Sequence, residues 1–85
     1  MSKANIILII QEVEYGNIRV KLDELMKRKN ISTYQLNANT RIRFQTIQTL
    51  RKNESTRIDF NVLAKICYSL NCKISDVIEY IPQNK

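Results

Sequence analysis

Histidine is missing from this 85-residue sequence, and glycine and proline occur once each. Without histidine the chain lacks the commonest general base and the commonest metal ligand. The two cysteines, Cys67 and Cys72, match no zinc spacing, and two thiols without an imidazole cannot complete a four-ligand site. They read as small buried apolar residues in a reducing compartment. No metal and no cofactor is therefore expected. A single glycine cannot build a glycine-rich phosphate loop, and no carboxylate cluster shares a face, so the chain is not read as an enzyme. The longest apolar run, Ile6–Ile10, has five residues. That is too short for a membrane span or the usual signal-peptide core. No membrane contact is expected, and the location expected is cytoplasmic. Aromatic residues are few, two Phe and four Tyr, and they are scattered. They form no stacking platform for single-stranded nucleic acid.

What the sequence does contain is 44% hydrophobic residues and a formal charge of +6. The length permits one domain with a modest core, which a dimer partner would help to stabilise. The charge is concentrated. Residues 27–57 hold eight cations (Lys27, Arg28, Lys29, Arg41, Arg43, Arg51, Lys52, Arg57) against one anion, Glu54. The rest of the chain holds six cations and seven anions. A basic block of this kind is suited to an acidic partner such as nucleic acid.

Residues 1–19 read as an N-terminal strand or hairpin extension, 20–81 as the main domain and 82–85 as a tail. The segment Asn5–Tyr15 is rich in β-branched residues and reads as a strand. Ile18, Val20 and Leu22 alternate with Arg19 and Lys21, so a second short strand could form a hairpin with the first around Gly16-Asn17. From Leu22 the apolar period becomes helical. Leu22, Leu25 and Met26 predict a first helix over 22–29, stopped at Asn30. Ser32 with Gln35 forms a capping box for a second helix, Thr33 to about Asn39. After a break at Thr40-Arg41-Ile42, a third helix over 44–51 turns Ile47 and Leu50 inward. Asp59 caps a fourth helix whose core stripe is read as Phe60, Leu63, Ala64, Cys67 and Leu70, ending at Asn71. Ser75 caps a fifth, running to Ile81 and stopped by Pro82.

The second and third helices form a pair in which the third projects a polar face. A helix of this kind fits the major groove of B-DNA and brings side chains to base edges. Gln45, Thr46, Gln48 and Thr49 suit base contact there, since Gln pairs with adenine and Thr offers a hydroxyl and a methyl. Arg43 at its start, and Arg51 and Lys52 at its end, are placed for phosphates. Ser32 and Thr33 present open backbone N–H groups at the second helix's start.

In order and spacing, Val20–Tyr80 resembles the Cro/cI-type (XRE-like) helix-turn-helix domains. The resemblance rests on Leu22-Asp23-Glu24-Leu25-Met26, Ser32-Thr33-Tyr34-Gln35-Leu36, Thr40-Arg41-Ile42 and Thr46-Ile47-Gln48-Thr49-Leu50-Arg51. It continues through Ile58-Asp59-Phe60, Leu63-Ala64-Lys65-Ile66-Cys67, Leu70-Asn71-Cys72 and Asp76-Val77-Ile78-Glu79-Tyr80. It implies an all-α bundle of five helices with one or two short N-terminal strands. It also implies a transcriptional regulator, usually a repressor, that binds double-stranded DNA as a homodimer. The dimer could form through the N-terminal strand or the last helix. A bacterial, phage or mobile-element source fits. Tyr34 and Asn53 join the phosphate-contact candidates, and Phe44 falls at a base-contact position.

Three positions depart from the family's pattern. Asn37 stands where alanine is usual, Arg41 where glycine is usual, and Arg43 where a Ser or Thr cap is usual. A left-handed Arg41 costs roughly 1 kcal/mol relative to glycine. With Phe44 and the apolar N-terminal segment, these departures leave a second reading open. In that reading the fold is kept as a protein-interaction module: an antirepressor, an antitoxin-like partner or a phage factor.

Overall fold

The computed structural model describes residues 15–83. A strand, β1 (Asn17–Val20), leads into five helices: α1 (Leu22–Lys29), α2 (Thr33–Thr40), α3 (Phe44–Arg51), α4 (Phe60–Leu70) and α5 (Ile74–Val77). A second strand, β2 (Ile78–Ile81), follows. The helices bury Leu22, Leu25, Met26, Leu36, Ile42, Ile47, Leu50, Leu63, Ile66, Leu70 and Val77 in one core. Every helix contributes to it, so the angle of α2 to α3 is fixed by packing rather than by the turn alone.

The helix boundaries follow local chemistry. Asp23 and Glu24 lie in the first turn of α1 and Lys27, Arg28 and Lys29 in the last, as the helix dipole favours. Asn30 ends α1 with φ 57, and Asn71 ends α4 with φ 52. Both are left-handed stops of the kind asparagine tolerates. The Asp59 carboxylate accepts the Asn61 N–H at 2.6 Å and opens α4.

Two expectations are corrected, and a third, a hairpin about Gly16-Asn17 with a strand in residues 5–14, falls on residues outside the described ones. The second expected strand is present as β1. It pairs antiparallel with β2, with Ile18 opposite Tyr80 and Val20 opposite Ile78. Gly16 allows a close approach. It has φ +74, and a Cβ there would run into the Ile81 carbonyl oxygen.

The last helix is one turn, not two. It opens at Lys73, whose N–H is accepted by the Asp76 carboxylate at 2.9 Å, and gives way to strand at Ile78. β-Branched and aromatic residues suit the pairing with β1, and that pairing overrides a helical apolar period. Lys21 N–H donates to the Val77 carbonyl at 2.6 Å and locks the junction.

The core stripe of α4 is also rotated from the expected one. Leu63, Ile66 and Leu70 are buried, Phe60 and Ala64 are exposed, and Cys67 is half-buried. Both cysteines are free thiols, and burial pushes the Cys72 thiol up from its ordinary value.

Candidate nucleic-acid interface

The α2–turn–α3 unit is braced at its start, its turn and its far end. At the start, the Ser32 hydroxyl accepts the Gln35 N–H at 3.1 Å, and the Gln35 side chain accepts the Ser32 N–H at 2.7 Å. The N–H groups of Thr33 and Tyr34 then lie in the first helical turn with no partner within the helix. At the turn, Arg41 adopts φ 64, so the strain anticipated there is present. Two side chains compensate. The Thr40 hydroxyl donates to the Leu36 carbonyl at 2.7 Å and accepts the Ile42 N–H at 3.1 Å. The Asn37 amide donates to the Ile42 carbonyl at 2.7 Å. An alanine at 37 could not make that bond, so the departure at 37 supports the departure at 41.

Across the two helices, the buried Thr33 hydroxyl donates to the Gln48 side-chain carbonyl at 2.7 Å. It also accepts from Arg51 Nη1 at 2.9 Å. Arg51 Nε meets Asp23 of α1 at 2.7 Å, and its side chain is only 19% exposed. One guanidinium therefore ties α1, α2 and α3 together. Lys27 and Arg51 together hold the Asp23 carboxyl below the usual carboxylate range. The Tyr34 and Phe44 rings pack with centroids 4.7 Å apart and planes tilted by 47°. This contact joins the first turns of α2 and α3.

The outward residues of α3 are graded in exposure. Gln45 is exposed; Phe44, Thr46, Gln48 and Thr49 are half-buried. Thr49 donates its hydroxyl to the Gln45 carbonyl at 2.9 Å. Gln48 has its carbonyl committed to Thr33, and its NH2 group, a donor, has no hydrogen-bond partner among the described residues. Arg43 and Lys52 flank the helix and are exposed. Among the described residues, Arg41, Arg43 and Lys52 make no ion pair. Asn53 has φ 59, and its side-chain carbonyl accepts the Val20 N–H at 2.9 Å.

A profile of the Cro/C1-type HTH DNA-binding domain matches residues 21–83. The chain belongs to this family. The transcriptional regulator VanUg has a similar solved structure, 32% identical with a TM-score of 0.62, covering 80% of this chain and 91% of that one. A Bacteroides fragilis protein assigned as DNA-binding is 17% identical with a TM-score of 0.66, covering 74% of this chain and all of that one. The second likeness is one of fold. No curated protein matches the chain.

This Cro/C1-type domain brings the expected residues onto one helix pair, but gives several of them internal work. Thr33, Gln48, Arg51 and Asn53 are tied into the scaffold, whereas Arg43, Gln45 and Lys52 remain open to solvent. Sequence reasoning missed Asp23 as the partner of Arg51 and Asn37 as the brace of the turn. The signal for Asp23 was its place in a first helical turn ahead of an arginine-rich segment. Asn37 gave none beyond its departure from alanine. Among the described residues no helix is long and apolar enough to cross a membrane, and no cluster of His, Cys, Asp or Glu could hold a metal ion.

Proposed function

We propose that the chain is a sequence-specific transcriptional regulator that lays α3 in the major groove of double-stranded DNA. The observation that carries this is the pair of exposed cations, Arg43 and Lys52, without an ion-pair partner among the described residues and bracketing the polar face of α3. Eight helical residues span about 12 Å, close to the width of the groove. With the helix seated, Arg43 and Lys52 reach phosphates on either side. The N–H groups of Thr33 and Tyr34 offer a further anion site at the α2 N-terminus.

Gln45 is the leading base reader, because its amide is exposed and lies in the first turn of α3. Gln48 contributes its NH2 donor, and Thr46 its hydroxyl and methyl. Arg51 is oriented by Asp23 and Thr33, so it shares at most its remaining Nη2 edge with a phosphate. Phe44 leans on Tyr34 and offers a ring edge to a thymine methyl. With α3 in the groove the domain occupies promoter DNA and keeps other proteins off it, which is repression. One α3 reads only a few base pairs, so the working form is a homodimer on half-sites about 34 Å apart.

Fluorescence titration with duplex DNA tests the reading. Binding to mixed-sequence duplex at low salt is expected, with affinity falling steeply as salt rises. Absence of any duplex binding at low salt would refute it and favour a protein partner for the same surface.

A further inference from the structure

Helices α1 and α4 end in the same turn. At the end of α1, Asn30 is left-handed and donates its N–H to the Lys27 carbonyl at 3.1 Å, and the Ile31 N–H donates to the Met26 carbonyl at 2.9 Å. At the end of α4, Asn71 is left-handed and donates to the Tyr68 carbonyl at 3.3 Å, and the Cys72 N–H donates to the Cys67 carbonyl at 3.0 Å. These paired bonds form a Schellman turn, which sets side chains five residues apart against each other. In α1 the two positions hold Met26 and Ile31, both part of the apolar core or packed on it. In α4 they hold Cys67 and Cys72, the only cysteines of the chain. Both are free and half-buried. The two thiols adjoin: burial raises the Cys72 pKa, and the neighbouring Cys67 thiol adds to the rise.

We infer that Cys67 and Cys72 are a dithiol modification site, which a low-molecular-weight disulfide such as oxidised glutathione converts reversibly to an intrachain disulfide. The backbone is the first support. A disulfide needs Cα atoms about 4.4–6.8 Å apart and side chains that converge. The 3.0 Å bond between the two residues' own backbones holds their Cα atoms close to that span, and the Schellman turn aims their side chains together. Access is the second. Cys67 lines an open, wholly apolar groove of about 200 Å³ with Phe60, Leu63, Ala64 and Ile74, so a small reagent reaches its sulfur. The turn of α1 is the third. Its Met26 and Ile31 fill the same geometry with no exchangeable sulfur, so the fold does not need thiols at these positions. In the reaction, the Cys67 thiolate attacks one sulfur of the reagent, forming a mixed disulfide and releasing one thiolate. The Cys72 thiolate then attacks the Cys67 sulfur, closing the bond and expelling the second thiolate. The two cysteines lose two electrons, the reagent's disulfide gains them, and the two cysteine protons end on the released thiols. The new bond ties the end of α4 to the segment that leads into α5 and β2. The stability of the domain then follows the thiol–disulfide poise around it, whether or not the chain binds DNA.

Equilibration of the full chain in glutathione redox buffers, followed by acid quench, alkylation and mass spectrometry, tests it. The expected product is a single chain lighter by two hydrogens, closed at Cys67–Cys72 and reopened by excess reduced glutathione. The folded chain should favour this disulfide at least ~10-fold over the same chain in urea, a potential lower by ~30 mV. By linkage, the oxidised chain should then melt roughly 6–11 °C above the reduced one. Cys67→Ser and Cys72→Ser should each stop at the mixed disulfide with glutathione. A wild-type chain that collects only mixed or interchain disulfides overturns the inference. So does a folded chain that closes no more readily than in urea, or an oxidised chain that melts at or below the reduced one.

Discussion

Arg51→Ala removes the ion pair to Asp23 at 2.7 Å and the hydrogen bond to the Thr33 hydroxyl at 2.9 Å. Fully exposed ion pairs contribute about 0–1 kcal/mol, and breaking a buried pair costs about 3–5 kcal/mol. Arg51 is 19% exposed and Asp23 34%, so the pair lies between these limits. Asp23 keeps Lys27 at 2.9 Å, which softens the loss. Thr33 loses a charged donor in a buried setting, but its hydroxyl still bonds Gln48. Together these give about 2 kcal/mol, which in a domain of this size lowers the melting temperature by roughly 8–16 °C. Urea denaturation of wild type, Arg51→Ala, Asp23→Asn and the double variant measures it, with a coupling energy of about 1 kcal/mol expected between the two sites. Binding to non-specific duplex should keep nearly its full salt dependence. A loss under about 0.5 kcal/mol, with the salt slope reduced by about one, would show Arg51 to be a free phosphate contact and refute the clamp.

Four further outcomes follow from the same structure. Asp23 has a depressed pKa in the fold, so its contribution is present above the unfolded value of about 3.9 and is lost as pH falls through the folded value. The stability gap between wild type and Asp23→Asn, measured by melting across pH 7 to 2, should therefore close below about pH 4. Arg41→Gly relieves the left-handed strain at φ 64 and should raise stability by about 0.5–1 kcal/mol in urea titration. Gly16→Ala should destabilise by at least about 1 kcal/mol and increase hydrogen exchange in β1 and β2, because the new Cβ meets the Ile81 carbonyl. Gln45→Ala should leave stability and salt dependence near wild type while flattening discrimination among duplex sequences by about 1–3 kcal/mol at one position.

The helix pair was legible because its signals are local. Ser32 and Gln35 cap α2 through residues three apart, and Ile47 and Leu50 set the phase of α3 within one turn. Asn30 and Asn71 stop their helices through their own backbone preference. The strand pairing was not legible for the opposite reason. Val20 meets Ile78 across most of the chain, and no short-range pattern encodes that meeting. Ile74, Val77, Ile78 and Ile81 fit a helical period, while Ile78 and Tyr80 also fit a strand period; only the presence of β1 decides between them. The α4 stripe was misphased because the apolar arc is wider than one core can cover. The internal roles of Arg51 and Gln48 depend on Thr33, a residue whose burial its own sequence neighbourhood does not reveal.

The central claim is that α3 meets DNA with Arg43 and Lys52 on the phosphates. Its most direct measurement is the salt dependence of duplex binding for wild type, Arg43→Gln and Lys52→Gln. Each variant should bind more weakly and lower the slope of log K against log salt by about 0.9, with melting unchanged. Identical slopes for all three proteins, or no duplex binding at low salt, would contradict the account.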